Sequence, residues 1–498
     1  MKKAIIFLLL TVSVLSGCKK EDDDVVEPEI SISNFSFKKA SNPNLTNDIY
    51  TIPKGNSMSG NIPYEIDIRY LVASFDFIGE EVRIGEDVQK SSITANDFSS
   101  TVTYTVVGKE GNTKDYDVNI LWFTGLPIFK IVTDYGVEIT SKEEYIVGKA
   151  NIIGVGNYDD ASGDMKIRGR GHSTWGLHPK KPYQLKFDKK TKVLGMPKDK
   201  KWLLLAEHSD KTLMRNQLAF EMGYISNLDW TPECVYAEVF LNDEYNGTYN
   251  ICQKVEGGNH RVDLGDDGYL LEIDTPDHLD PDDVYFNSSR FTIQVKEPET
   301  TIGSPIYHNI KNYVLEFENI LYSNNFTDPV YGYRRYIDVN SFVDWFIINE
   351  IAKNQDARSY SSIFFNYIPG EKIKMGPLWD FDLGFGNVDY SECVYPTGFW
   401  VKEHAWIKRL LQDPYFVNEV KERYKYFSSQ ESYFIQLIDE KAEYLRLAQQ
   451  ENDNRWHVFG NYIWPNPVVY DTHQEEVQHL KEWLVTRMRW LDDAIEAM

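Results

Sequence analysis

The chain has 498 residues, 76 acidic against 52 basic, and a formal net charge of -24 at pH 7. That balance excludes non-specific nucleic-acid binding, which needs clustered Lys and Arg against phosphate. An aromatic content of 14% excludes a disordered chain, and the length allows more than one domain with a sizeable core.

The first elements are a leader and a tether. Lys2 and Lys3 precede an apolar stretch, Ala4 to Leu15, too short for an ordinary membrane-spanning helix. It ends in Leu15-Ser16-Gly17-Cys18, which resembles a bacterial lipoprotein signal (the lipobox). The resemblance implies a signal peptide over 1–18, lipidation of Cys18, and a chain held in the bacterial cell envelope through a lipid anchor, at the outer membrane. The acidic run Glu21-Asp22-Asp23-Asp24 resembles a surface-export tag and sits in an acidic linker, 19–29. From 30 to 122 short alternating runs such as Thr101-Val102-Thr103-Tyr104-Thr105-Val106 are separated by turn signals. That spacing predicts a small antiparallel β-sandwich, and the region resembles immunoglobulin-like domains.

Composition changes at Leu126-Pro127-Ile128. Strands are expected within 128–153, over Tyr183 to Phe187, in a hairpin over Val235 to Ile251, and over 268–274 and 291–296. A helix is expected from Thr212 to Met222, capped by Ser209 or Asp210 and stopped by Gly223. Further helices are expected over 341–353, 403–449 and 473–497. Strands first and helices later give an α+β fold. In the hairpin a two-residue turn at Asn242-Asp243 sets Cys234 against residue 251, with Cys252 on the other face. A bulge at Asn246-Gly247 would shift the register and permit a Cys234–Cys252 bridge, and the sequence leaves both open.

Four segments carry chemistry. Arg168-Gly169-Arg170-Gly171-His172-Ser173-Thr174-Trp175 offers glycines and guanidinium groups to a phosphate, or is a plain turn. Lys186, on the next strand, is a candidate phosphate-pairing lysine, with Glu221 as a possible helix partner. Arg215 opens the following helix and can pair with a carboxylate or reach a phosphate; Lys254 and Glu256 are polar candidates without a role. Last come Asn354-Gln355-Asp356-Ala357-Arg358, then Asn366, then Trp379-Asp380-Phe381-Asp382-Leu383-Gly384. The order Asp, Asn, Asp followed by glycines is the layout of a phosphoryl-transfer site. Asp356 would accept a hydroxyl proton, and Asn366 and Asp380, with Asp382 as a second ligand or a cap, would hold the metal.

These motifs, together with Lys180-Lys181-Pro182-Tyr183-Gln184-Leu185-Lys186-Phe187, Leu213-Met214-Arg215-Asn216, Tyr245-Asn246-Gly247-Thr248-Tyr249 and Tyr269-Leu270-Leu271-Glu272-Ile273-Asp274, resemble the spore-coat CotH protein kinase family over 126–498. The resemblance implies an atypical protein-kinase-like fold with a β-rich lobe and a helical lobe, and ATP with Mg or Mn as cofactors. It implies transfer of phosphate to Ser or Thr of extracytoplasmic proteins, with Asp356 as acid–base residue, Asn366 and Asp380 on the metal, and Arg168 and Lys186 on the nucleotide. ATP is scarce outside the inner membrane, so a catalytically silent binding or adhesion module is the alternative. A glycoside hydrolase using Asp356 with Asp380 or Asp382 is a further rival.

Overall fold

The structure, a computed structural model, describes residues 30–45, 48–62, 66–121, 124–154 and 158–498. The expected leader with Cys18 and the linker 19–29 lie outside the described residues. The chain divides into two compact units, residues 1–122 and 123–498.

The first unit is a two-sheet sandwich. Its strands are β1 (Ser31–Phe37), β2 (Ile49–Tyr50), β3 (Ile52–Lys54), β4 (Ser57–Asn61), β5 (Leu71–Ile78), β6 (Glu81–Ile84), β7 (Asp87–Val88), β8 (Ala95–Asn96), β9 (Val102–Val107) and β10 (Thr113–Leu121). They form one sheet in the order β2-β1-β5-β8 and another in the order β3-β4-β10-β9-β6-β7. The period-two pattern of β9 sets the packing: Val102, Tyr104 and Val106 are buried, while Thr103 and Thr105 point outward and each donates to an Asp of β10 at 2.7 Å. Phe35, Phe75 and Tyr104 fill the centre, with Phe35 and Tyr104 edge to face at 5.0 Å. The sandwich is not purely antiparallel as the alternation suggested, because β4 runs parallel to β10.

The second unit begins with β11 (Ile128–Thr133), β12 (Ile146–Ile153), β13 (Ala161–Gly169), β14 (Tyr183–Val193), β15 (Met196–Leu205), β16 (Cys234–Leu241) and β17 (Glu244–Gln253). They close into a barrel in the order β11-β12-β13-β14-β15-β17-β16. The closing pair, β11 with β16, is parallel, and closure leaves these strands no free edge. Alternate residues such as Phe129, Ile131, Leu185, Phe187, Trp202 and Tyr249 fill the interior. A five-stranded antiparallel sheet follows, built from β18 (Tyr269–Ile273), β19 (Tyr285–Asn287), β20 (Thr292–Glu297), β21 (Ile363–Tyr367) and β22 (Lys374–Met375), in the order β19-β20-β18-β21-β22.

The helices are α1 (Ser173–Leu177), α2 (Arg215–Tyr224), α3 (Pro305–Leu321), α4 (Val339–Ala352), α5 (Ala405–Leu410), α6 (Pro414–Ser428), α7 (Glu431–Tyr444), α8 (Ala448–Trp456) and α9 (His473–Glu496). The fold is α+β. The helical stretch expected over 403–449 is cut where Asp413 accepts the Tyr415 amide at 3.1 Å and Pro414 starts a new helix. Helix α2 starts later than expected, because Leu213 is left-handed at φ 64°. Asp210 does serve its start, accepting the amides of Thr212 and Arg215 at 3.1 and 2.8 Å.

Helix α4 is almost wholly buried and sets the height of the loop that follows it. Asp338 caps its start by accepting the Ser341 amide at 2.8 Å. Lys353 ends it at φ 45°, and the Lys353 Nζ donates to the carbonyls of Glu392, Tyr395 and Thr397 at 2.7, 2.9 and 2.6 Å. The residues 354–356 therefore leave the helix from a fixed point.

Candidate active site

Strand β21, the ends of β13 and β18, and the loop 379–383 meet around a cavity of about 970 Å³. The acids lining it include Asp356, Asp380, Asp382 and Asp274, and the basic groups include Arg168, Arg170, Lys254 and Lys296.

Asp380 sits at φ 65°, a left-handed conformation that costs a non-glycine residue about 1–3 kcal/mol and needs support from its surroundings. That support is visible on both sides. The Phe381 amide donates to Asn216 Oδ1 at 2.7 Å, and the Asp380 carbonyl accepts from Asn354 Nδ2 at 3.3 Å. Asn216 is itself fixed, its Nδ2 donating to both oxygens of the buried Glu207 at 3.1 and 3.2 Å. The Asp380 carboxylate accepts from Ser362 Oγ at 3.3 Å.

The acids repel one another. Burial raises Asp356 to about 7, and the charges of Asp380 and Asp274 push the same way. Burial also raises Asp380, opposed first by Arg170 and then by the Ser362 hydroxyl. Asp382 is pushed well above the carboxylate range by burial and then by Asp380. Burial and Glu272 bring Asp274 to about 7, and it accepts from the Thr275 amide and faces His278 Nδ1, both at 2.8 Å.

The positive groups are placed by the strands. A side chain at Gly169 would collide with the Trp175 ring, so glycine there lets Trp175 lie against the strand while Arg168 and Arg170 reach the cavity. The Arg168 guanidinium stands 4.9 Å from the centre of the Tyr145 ring, and its buried Nε has no hydrogen-bond partner. Arg170 lies 5.6 Å from the centre of the Trp379 ring and next to Asp380. Lys296 pairs with Glu272 at 3.0 Å, and Lys254 with Glu256 at 3.3 Å.

Several expectations are corrected. Asn366 does not join Asp380. It lies on β21 two residues beyond Phe364, which lines the cavity, and does not line it itself. Lys186 is solvent-exposed on β14, opposite Lys166 and Lys201, and is also outside the cavity. Glu221 accepts from Tyr433 Oη instead of pairing with Lys186. Arg215 is 2% exposed and is consumed by Asp210, with Nη1 to Oδ1 at 2.5 Å. Four of the expected residues do come together: Asp356, Asp380, Asp382 and Arg168. Lys296 and Asn216 were missed as site residues, while the sequence singles out Lys254 and Arg170 without a role of their own. Two-residue spacing from Arg168 was the available signal for Arg170.

Among the described residues no group of three or more His, Cys, Asp or Glu is arranged as a ready metal cage. The chemistry of the acidic wall nevertheless fits a hard divalent cation. The donors are carboxylate oxygens, and the repulsion between Asp380 and Asp382 is what a cation would relieve. Mg-type ions complete their shell with water and phosphate, so a full protein cage is not required.

Residues 167–491 match the family model described as CotH kinase protein. The chain belongs to the CotH kinase protein family. This CotH protein also carries, over residues 32–120, a match to the family described as SGBP, N-terminal. None of the curated proteins matches it. Among solved structures it is similar to a candidate glycoside hydrolase from Bacteroides thetaiotaomicron, at 13% identity over 58% of this chain and 87% of that one, with a TM-score of 0.17. A similarity that low carries no argument about this CotH protein's fold or activity.

Proposed function

We propose that this CotH protein is a phosphotransferase that moves the γ-phosphate of ATP to a Ser or Thr hydroxyl of an extracytoplasmic protein. One observation carries the reading: Asp356, Asp380 and Asp382 line a single cavity together with Arg168, Arg170, Lys254 and Lys296. Asp356, held near 7 by burial, is matched to taking a proton from a hydroxyl at neutral pH. Asp380 and Asp382 would hold Mg²⁺ or Mn²⁺, which neutralises charge on the phosphate oxygens. Arg168, with its unpaired Nε, and Arg170 would bind phosphate oxygens directly, while Lys254 and Lys296 are steadied by Glu256 and Glu272. The β-rich and helical parts of the second unit would play the two kinase lobes. The Cys18 lipid would hold the chain on the bacterial outer membrane, facing its protein substrate.

The rival is a silent kinase-like binding module, and one observation favours it. With Asn366 away from the cavity, the side-chain ligands expected for a cation fall to Asp380 and Asp382. Incubation of the full chain with γ-labelled ATP, Mn²⁺ and envelope proteins separates the two readings. Label on protein that disappears in Asp356→Asn supports the transferase, and equal label in both proteins, or none in either, sinks it.

A further inference from the structure

Cys234 and Cys252 end up face to face. A bulge between Val239 and Phe240 on one strand and Gly247 and Tyr245 on the other shifts the hairpin register, so that Cys234 stands opposite Cys252 and Val235 opposite Ile251. The flanking bond fixes which kind of pair this is. The Gln253 amide donates to the Glu233 carbonyl at 3.0 Å, so residues 233 and 253 form the hydrogen-bonded pair and 234 and 252 the non-hydrogen-bonded one. In such pairs the Cα atoms are about 4.5 Å apart and the side chains are close, inside the window of about 4.4–6.8 Å that a disulfide needs. Both residues are thiols in the structure. Cys252 is fully buried and Cys234 half-buried. Cys393 is buried separately, in the 3₁₀ turn Glu392–Val394.

We propose that Cys234 and Cys252 are a modification site, a cross-strand pair that closes to a disulfide when the chain folds in the presence of a small-molecule disulfide oxidant. The thiolate of one cysteine attacks the oxidant, RSSR, forming a mixed disulfide and releasing one RSH. The thiolate of the other attacks the protein sulfur, closing the Cys234–Cys252 bond and releasing the second RSH. Two thiols are oxidised and one disulfide is reduced to two thiols. Burial raises Cys234 well above the ordinary thiol range, so the folded protein reacts slowly and closure belongs to folding. The leader expected at residues 1–18 would deliver the chain to an oxidising compartment, where such bonds persist. The bridge would staple β16 to β17 just before Lys254, a residue of the cavity wall, and so stiffen that wall. None of this depends on phosphoryl transfer.

The test is refolding of the full chain from denaturant in oxidised and reduced glutathione, followed by denaturing alkylation and peptide mapping. The expected result is a cross-linked peptide joining 234 to 252 with Cys393 still alkylated. It comes with a higher unfolding temperature that dithiothreitol reverses and that Cys234→Ser lacks. Alkylation of both Cys234 and Cys252 after oxidative refolding, or a bridge that uses Cys393, overturns the proposal. These readouts come from the wild-type chain, so they hold even if the Ser variant folds poorly.

Discussion

Two sets of buried charges in the second unit behave oppositely. In the scaffold the deepest charges sit in ion pairs. Asp210 takes the Arg215 guanidinium at 2.5 Å and the Thr212 hydroxyl at 2.6 Å. Arg487 donates to the Glu350 carboxylate at 2.7 Å and to the carbonyls of Pro396 and Gly398 at 3.0 and 2.7 Å, and Glu350 also accepts the amides of Trp400 and Lys402. In the cavity the same residue types are left short. No donor among the described residues bonds the Asp356 carboxylate, and Asp380 and Asp382 are driven against each other. Satisfied charges hold a fold together, whereas unsatisfied ones gathered around a cavity are held ready for a ligand.

Substitutions should separate the two sets, and the largest effects fall on chemistry. Asp356→Asn and Asp380→Asn should each lower transfer by about 10²–10⁴-fold while leaving the unfolding temperature unchanged or higher, since each removes a repelling charge; calorimetry beside the transfer assay checks both. Arg215→Met should do the reverse. It strands the buried Asp210 and should cost about 3–5 kcal/mol of stability by denaturant titration, whatever happens to ligand binding. Asn216→Ala joins the two sets. It should cost about 1–3 kcal/mol by leaving the Phe381 amide and Glu207 Oε2 unsatisfied, and it should weaken Mn²⁺ binding because Asp380 loses its support.

Acid should also find the scaffold first. Burial holds His404 at about 3, against about 6.5 in an unfolded chain. The folded state binds fewer protons across that window, so the stability is complete above pH 6.5 and drains as pH falls toward 3, at up to about 1.4 kcal/mol per pH unit. His404 stacks on Phe291 at 4.8 Å, so His404→Phe should flatten the pH dependence of the urea midpoint. The smallest effect belongs to Lys186→Ala, which should change stability by less than about 0.5 kcal/mol and leave transfer untouched; a large loss would return Lys186 to the site.

The sequence made periodic elements readable and hid what depends on tertiary contact. Alternation located β9 and β14, and the helix expected over 341–353 is the greater part of α4. The Asp356 and Asp380 motifs led to one cavity because each lies in a short loop beside a buried element. Asn366 and Lys186 misled for one reason: in a strand, position along the chain fixes the face but not the distance from the site. The parallel closure of β11 on β16 joins segments about a hundred residues apart and leaves no local trace. The Cys234–Cys252 register turned on a single bulge, and Asn246-Gly247 signalled it without deciding it.

The most direct test of a cation-assisted nucleotide site is calorimetric titration of Mn²⁺ and ATP into the full chain and into Asp380→Ala. The account predicts saturable binding to the parent protein that the variant loses while remaining folded. Equal binding by both proteins, or no heat of binding in the parent at millimolar nucleotide, would contradict it.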